Sequence, residues 1–191
     1  AFSNCNGLKS VIIGSADYAG TPVTTIGQAA FSNCTKLESL IIGNNVASVG
    51  VAAFVGCSAL ENLILGDNVT SVGANAFSNC NGLKSVIIGS ADYAGTPVTT
   101  IGQAAFSNCA KLESLIIGNN VASIGNGTFS DCASLSSIII PKSVTSVGND
   151  MLYNCSTVTI YMRRTEEESA EMSFGDNWNN GQPVVWGYTG E

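Results

Sequence analysis

Histidine is absent from this chain of 191 residues. Without it, the chain has no imidazole for general acid–base catalysis, for binding a transition metal, or for activating a serine or cysteine nucleophile. Charged residues make up only 11% of the chain and proline occurs four times, whereas a disordered chain is usually rich in both. No apolar run reaches the roughly 20 residues that a membrane-spanning helix needs. The sequence therefore predicts a folded chain that does not insert into a membrane.

Basic residues are also scarce: the chain has seven lysines and arginines and fourteen acidic residues. No basic stripe is present, so nucleic acid is not expected as a partner. The carboxylates of the first 162 residues are dispersed rather than paired as acid–base catalysis of glycoside cleavage would need. We expect no catalytic site, no cofactor and no metal.

The dominant feature of the sequence is internal repetition. Residues 1–50 recur as residues 76–125 with only two differences. Within this 75-residue unit lies a period of 23 residues, which two inserts, at 15–22 and 90–97, lengthen by six residues each. The period is marked by one bulky residue per repeat: Phe2, Phe31, Phe54, Phe77, Phe106, Phe129 and Leu152. A repeat this short cannot close a core alone, so the seven registers predict one stacked solenoid over residues 1–162.

Each repeat follows the pattern A-F-x-x-C-x-x-L-x-x-[LVI]-x-[IL], then glycine or proline, then V-x-x-[IV]-G. The apolar alternation predicts one short strand per repeat, stacked in parallel on its neighbours. These strands are Leu8–Ile13, Leu37–Ile42, Leu60–Leu65, Leu83–Ile88, Leu112–Ile117 and Leu135–Ile140. A short helical turn around Ala-Phe, or an irregular convex side, is expected to close each coil. The glycine after V-x-x-[IV] predicts a tight corner with positive φ, at Gly27, Gly50, Gly73, Gly102, Gly125 and Gly148.

This pattern resembles the BspA-type class of leucine-rich repeats over about residues 1–160. The resemblance implies a leucine-rich-repeat solenoid. It also implies a secreted or cell-surface protein, of bacterial or protozoan type, that adheres to a host or other extracellular macromolecule, above all a protein.

All seven cysteines occupy one register, three residues after the marker residue: Cys5, Cys34, Cys57, Cys80, Cys109, Cys132 and Cys155. One cysteine per coil makes a line of thiols, whereas a zinc site needs four converging ligands. Successive rungs lie within the Cα separation that a disulfide tolerates, but side chains in register point the same way. We interpret the row as buried reduced thiols that act as small apolar residues, with disulfides between rungs as the alternative.

The strand alternation also turns one isoleucine per repeat outward: Ile12, Ile41, Ile64, Ile87, Ile116 and Ile139. With rungs about 4.8 Å apart, these isoleucines would form an apolar stripe roughly 25 Å long. We refer to these six residues as the isoleucine stripe. A contiguous apolar surface usually marks a contact site. The alternative interpretation is that β-branched residues simply suit strands.

The two inserts are a second candidate binding surface. Each carries one carboxylate and one aromatic ring, Asp17 with Tyr18 and Asp92 with Tyr93. Insertions in a solenoid form loops on one face, often the binding face, and tyrosine is a rigid contact residue. The alternative is a neutral loop copied along with its 75-residue block. A calcium site is not expected, because one aspartate per loop falls short of six to eight oxygen ligands.

The repeat pattern degrades after Cys155, which predicts a C-terminal capping segment over residues 163–191. Thr165 and Glu168 fit a capping box and predict a short helix over about 166–173. An apolar and aromatic group follows: Phe174, Trp178, Val184, Val185, Trp186 and Tyr188. We interpret it as a lid over the last coil rather than as a ligand cage, because a solenoid needs its apolar end covered.

The chain begins within a repeat and without a signal peptide. We therefore expect a piece of a longer array with an export signal upstream, extracellular or at the cell surface. A monomer is expected, with end-to-end contacts possible at its uncapped first coil. The sequence favours a non-enzymatic adhesion or protein-binding module. The alternative function is a structural spacer or stalk that projects another domain.

Overall fold

The computed structural model describes residues 2–14, 23–89 and 99–190. Within these residues the chain winds into a solenoid whose coils contribute strands to parallel sheets, which confirms the predicted architecture. The strands in chain order are β1 (Ser10–Ile13), β2 (Thr25–Ile26), β3 (Ser39–Ile42), β4 (Ser48–Val49), β5 (Asn62–Leu65), β6 (Ser71–Val72), β7 (Ser85–Ile88), β8 (Thr99–Ile101), β9 (Ser114–Ile117), β10 (Val121–Ile124), β11 (Ser137–Ile140), β12 (Ser146–Val147), β13 (Thr159–Met162), β14 (Ser173–Phe174) and β15 (Val184–Val185).

The predicted strands form in the predicted places but begin two residues later. The order β1-β3-β5-β7-β9 makes one parallel sheet, and β11-β13-β15 makes another beside it. The strands start late because the amide of the recurring leucine donates a hydrogen bond to the cysteine carbonyl of its own repeat. Leu60, for example, donates to the Cys57 carbonyl at 3.1 Å. That bond closes a turn, so ladder pairing begins only beyond it.

A second sheet, which the sequence analysis did not predict, is built from the V-x-x-[IV] segments. Its seven strands stack in the order β14-β12-β10-β8-β6-β4-β2. Most of these strands are only two or three residues long, with one buried residue such as Val49 or Val72. Strands this short show no alternation in the sequence, which explains why the pattern alone did not reveal them.

The predicted positive φ of the corner glycines is wrong. Among the described residues, the glycines with positive φ are at other positions, such as Gly56 and Gly127. Glycine is instead required at the interior corners because the backbones of neighbouring coils approach each other closely there. A Cβ atom built on Gly73 would lie 2.6 Å from the Gly50 carbonyl carbon, and one on Gly125 would lie 2.7 Å from the Gln103 amide nitrogen. Both distances are far below van der Waals contact, so a side chain there would push the coils apart.

The left-handed backbone lies on both sides of the marker phenylalanine. Two residues before it, φ is positive at Ala29, Ala52, Asn75, Ala104, Gly127 and Asp150. Two residues after it, φ is positive at Asn4, Asn33, Gly56, Asn79, Asn108, Asp131 and Asn154. Asparagine, aspartate and glycine tolerate this conformation, which explains their presence in the second row. Of the two predicted forms, a short helical turn or an irregular convex side, the structure has the irregular one.

The core is a set of side-chain ladders that run along the solenoid. Six phenylalanine rings stack in register, Phe2 on Phe31 and so on to Phe129, with centroids 5.1–5.8 Å apart. Leu60, Leu63 and Leu65, and their equivalents in the interior coils, are buried beside this ladder. Each coil therefore buries the same apolar set against the next one, which is why a single 23-residue unit needs its neighbours.

The capping box is confirmed, but the helix it starts is shorter than predicted. The Thr165 amide donates to Glu168 Oε2 at 2.9 Å, and the Glu168 amide donates to Thr165 Oγ1 at 3.1 Å. A single 3₁₀ turn, Glu168–Glu171, follows. The chain then becomes extended at Met172, because Ser173 and Phe174 pair with β12 in the second sheet.

The C-terminal segment continues both stacks, since β14 joins the second sheet and β15 pairs with β13. Phe174, Trp178, Val184 and Trp186 pack against the core. The rings of Phe174 and Trp178 lie 4.6 Å apart. The division of the chain at residue 162 remains a prediction.

Among the described residues, no helix is both long and apolar enough to span a membrane.

Candidate binding surface

Five residues of the isoleucine stripe lie on the outer face of the first sheet, and the sixth, Ile139, lies on β11 in the sheet beside it. The parallel register aligns Ile12 with Ile41, then Ile64, Ile87 and Ile116. Four of these side chains stay exposed, Ile12 at 63%, Ile41 at 46%, Ile64 at 52% and Ile116 at 47%. Ile87 and Ile139 are half-buried. The strands thus hold a row of apolar side chains in water, at a fixed spacing of about 4.8 Å.

A polar row borders the isoleucine stripe on its N-terminal side. It consists of Ser10, Ser39, Asn62, Ser85 and Ser114, aligned by the same register. Beyond it, just before each strand, lies a row of exposed charged residues of both signs: Lys9, Glu38, Glu61, Lys84 and Glu113. Lys84 Nζ and Glu61 Oε1 form an ion pair at 3.1 Å, with both side chains about half exposed. The surface therefore combines an apolar centre with a polar rim, which is the usual composition of a protein interface.

The stripe extends beyond the residues that the sequence predicted. Ile139 pairs with Tyr161, and Tyr161 pairs with Val185, so two more coils place an apolar side chain in the same row. The Tyr161 ring lies 4.5 Å from that of Tyr188, at an angle of 44°. The signal was present in the sequence as Thr-Ile-Tyr-Met, which alternates with the period of the other strands.

The second predicted surface, formed by Asp17, Tyr18, Asp92 and Tyr93, lies outside the residues that the structure describes. Its role therefore remains a prediction.

The cysteines form a hydrogen-bonded row inside the solenoid. All seven are free, and five are buried. Six of them donate from Sγ to a phenylalanine carbonyl in the preceding coil, as Cys57 does to Phe31 at 3.2 Å and Cys80 to Phe54 at 3.3 Å. Burial raises the pKa of the Cys57 thiol to about 12. The five buried thiols thus act as apolar residues that also satisfy a backbone acceptor.

Polar side chains near the C-terminal end form a small charged cluster around Arg164. Lys142 Nζ lies 3.0 Å from Glu168 Oε1, while Arg164 donates to the Lys142 and Glu168 carbonyls. The pKa of Glu168 is lowered, first by the Thr165 amide and then by Lys142. Lys142 and Glu168 therefore form an ion pair, whereas Arg164 is held by backbone carbonyls. In the described part of the chain, no three histidine, cysteine, aspartate or glutamate side chains come together as metal ligands.

Comparison with known proteins agrees with this repeat geometry. The model of the BspA type leucine-rich repeat region matches residues 1–96 and 99–180 in six copies. The fold is similar to the crystal structure of a leucine-rich repeat protein of T. pallidum, with 26% identity and a TM-score of 0.71 over 88% of this chain and 73% of that chain. It is also similar to a leucine-rich repeat protein from Eubacterium ventriosum, with 29% identity and a TM-score of 0.64 over 70% of this chain and 35% of that one.

No curated protein matches the chain. The family match nevertheless spans nearly the whole repeat array, and both solved structures are leucine-rich repeat proteins of bacteria. This chain belongs to the BspA-type leucine-rich repeat family.

Proposed function

We propose that this chain is a non-enzymatic protein-binding module of a secreted or cell-surface protein, and that the isoleucine stripe is its contact surface. The observation that carries the proposal is the row of exposed isoleucines, since Ile12, Ile41 and Ile64 are each about half exposed or more. Leaving such side chains in water forgoes roughly 25 cal/mol for each Å² of apolar area. Covering them with a partner recovers that free energy.

The regular register of the first sheet supports this proposal. The five strands from β1 to β9 keep one register without a bulge. A surface that is ordered before binding loses little conformational entropy when a partner covers it. The partner we expect is an extracellular protein, because the polar and charged rim suits the mixed surface of a protein.

The binding proposal is tested with a double variant, Ile41→Lys with Ile64→Lys, which places two charges in the centre of the stripe. The matched control is Ser48→Lys with Ser71→Lys, on the aligned outward positions of the second sheet. The immobilised proteins are incubated with surface proteins solubilised from epithelial cells, and retained proteins are identified by mass spectrometry.

We expect the wild type and the control to retain the same protein and the stripe variant to lose it, with unchanged circular dichroism for all three. Retention by the folded stripe variant would remove the stripe as the site. The spacer alternative predicts that none of the three retains any protein above the level of a bare matrix.

A further inference from the structure

The charged row beside the isoleucine stripe is complementary to itself when its order is reversed. From β1 to β9, the exposed residue just before each strand is Lys9, Glu38, Glu61, Lys84 and Glu113. The signs in this direction are plus, minus, minus, plus and minus. Read from β9 to β1 they are minus, plus, minus, minus and plus. The two orders are opposite at four of the five strands, and only Glu61, in the middle, meets its own sign.

The order of these charges comes from the 75-residue duplication. Lys9 recurs as Lys84, three strands further along the sheet, and the distance between them is about 14 Å. Glu38 recurs as Glu113 at the same distance. A globular domain of 100 residues has a radius of gyration of about 13 Å, so two such partners do not fit side by side at this spacing. A single partner with a repeat of the same length matches both sets of charges.

The surface around the stripe allows another sheet to approach. On one side lies the small polar row, Ser10, Ser39, Asn62, Ser85 and Ser114. The residues that follow the strands on the other side are all glycine: Gly14, Gly43, Gly66, Gly89 and Gly118. Neither row carries a side chain bulky enough to hold a second sheet away from the isoleucines. Sheets that pack face to face lie about 10 Å apart, a gap that a lysine and a glutamate side chain can bridge together.

We propose that the partner of the isoleucine stripe is a second copy of this chain, packed face to face with its coils in reverse order. The two-fold axis runs parallel to β5, so Ile64 lies against Ile64 of the second copy. Glu38 then meets Lys84 of the second copy, and Lys9 meets Glu113. Each ion pair forms twice, because a two-fold interface uses the same patch on both copies. This inference rests on the proposed function, since it names the partner of the same surface, and it replaces the monomer expected from the sequence.

The unfavourable contact in this arrangement is between the two Glu61 carboxylates at the axis. Each Glu61 is already paired with Lys84 of its own chain at 3.1 Å, and both side chains are about half exposed. The Lys84 ammonium has three donors, so it can hold Glu61 and also reach Glu38 of the second copy. Five strands of four residues make a small patch, so the association is weak and depends on concentration.

The test follows two charge variants and the wild type by sedimentation velocity over a wide range of protein concentration. Lys9→Glu with Lys84→Glu makes the row acidic throughout, and Glu38→Lys with Glu113→Lys makes it basic except at Glu61. We expect the wild type to become dimeric as its concentration rises and each variant alone to stay monomeric. An equimolar mixture of the two variants should dimerise again, because it restores the four opposite pairs. All these side chains are exposed, so circular dichroism should be unchanged.

Lys36→Glu with Lys111→Glu is the matched control. It changes the net charge as much as the acidic variant does, at exposed lysines of the same two coils as Glu38 and Glu113 but outside the charged row, and it should dimerise like the wild type. A wild type that stays monomeric at every concentration overturns the inference, and so does a dimer that persists in either charge variant alone. If a monomeric wild type still retains a surface protein that the stripe variant loses, the proposed function stands and only the second copy is excluded as its partner.

Discussion

Replacing Phe77 with alanine tests whether the phenylalanine ladder holds the coils together. Phe77 is fully buried, and its ring lies 5.3 Å from both the Phe54 and the Phe106 rings. Truncating a buried phenylalanine costs about 3–5 kcal/mol through lost transfer free energy and the cavity that remains. We expect the upper half of that range, because two ring contacts are lost and the flanking coils cannot close without breaking their own strand pairing.

The measurement is urea unfolding at 25 °C, followed by circular dichroism and by tryptophan fluorescence. Both tryptophans, Trp178 and Trp186, lie in the C-terminal segment. If the variant uncouples the coils on either side of residue 77, the two signals will give different midpoints, since stability in a solenoid passes from neighbour to neighbour. In the wild type the two midpoints should coincide.

Two variants at the same register control the interpretation. Phe2→Ala removes a ring that is 58% exposed and has one ring neighbour, at 5.2 Å, so it should cost about 1 kcal/mol. Phe77→Leu keeps most of the buried area but removes both ring contacts and should cost about 1–2 kcal/mol. The reasoning is refuted if Phe77→Ala costs no more than Phe2→Ala.

Three further predictions concern the left-handed residue before the marker phenylalanine, the buried thiols and the capping box. Ala52 has a φ of +54°, so Ala52→Gly should raise the free energy of unfolding by about 0.5–1 kcal/mol. Ala53→Gly, at the buried neighbouring position, should lower it. Urea unfolding that ranks the two variants the other way would contradict this prediction. Burial raises the pKa of the Cys57 thiol from 9.0 to about 12, so above pH 9 only the unfolded state releases this proton. This thiol alone should contribute up to about 1.4 kcal/mol per pH unit to a fall in stability, and the other buried thiols, whose pKa values burial also raises, add to it. Urea midpoints between pH 8 and pH 11 measure this slope, and Cys57→Ser should make it shallower; an equal slope in the variant would show that this thiol is not its source. Thr165→Ala removes the acceptor for the Glu168 amide and should cost about 0.5–2 kcal/mol, measured by thermal unfolding, and a loss below 0.2 kcal/mol would mean that the box contributes nothing.

The sequence predicted the solenoid, the place of the longer strands and the ladder positions, because these depend on periodicity. Phe54 and Leu63 recur at a fixed spacing, and a repeated apolar residue in a short unit has only its copies to pack against. The same periodicity predicts that the isoleucine stripe lies on the outer face. Binding by the isoleucine stripe depends on a second molecule as well, so it stays a prediction.

Some features of the fold are not predictable from local sequence preference, because contacts between coils determine which residue stands at a position. The glycine at position 73 suggested a left-handed corner, but its role is to let two backbones approach each other. One of the two left-handed rows consists of Asn79 and its equivalents, whose identity is a usable signal: asparagine, aspartate or glycine stands there in all seven registers. The second sheet was missed because a strand such as Ser71–Val72 is too short to show a period.

At the outward position of the four-residue strands that carry the isoleucine stripe, packing within the described residues does not explain the residue that the repeats share. Inward positions vary among leucine, isoleucine and valine, as at Leu63, Val86 and Ile138. The outward position is isoleucine in all six repeats that carry the pattern, although duplication of the 75-residue block accounts for two of these identities. Strand preference alone would admit threonine, valine or tyrosine at such a site, and the aligned outward positions of the second sheet are serine or threonine throughout. A solvated sheet face gains less from isoleucine than a covered face does, which is the physical reason to test the isoleucine stripe as a contact surface.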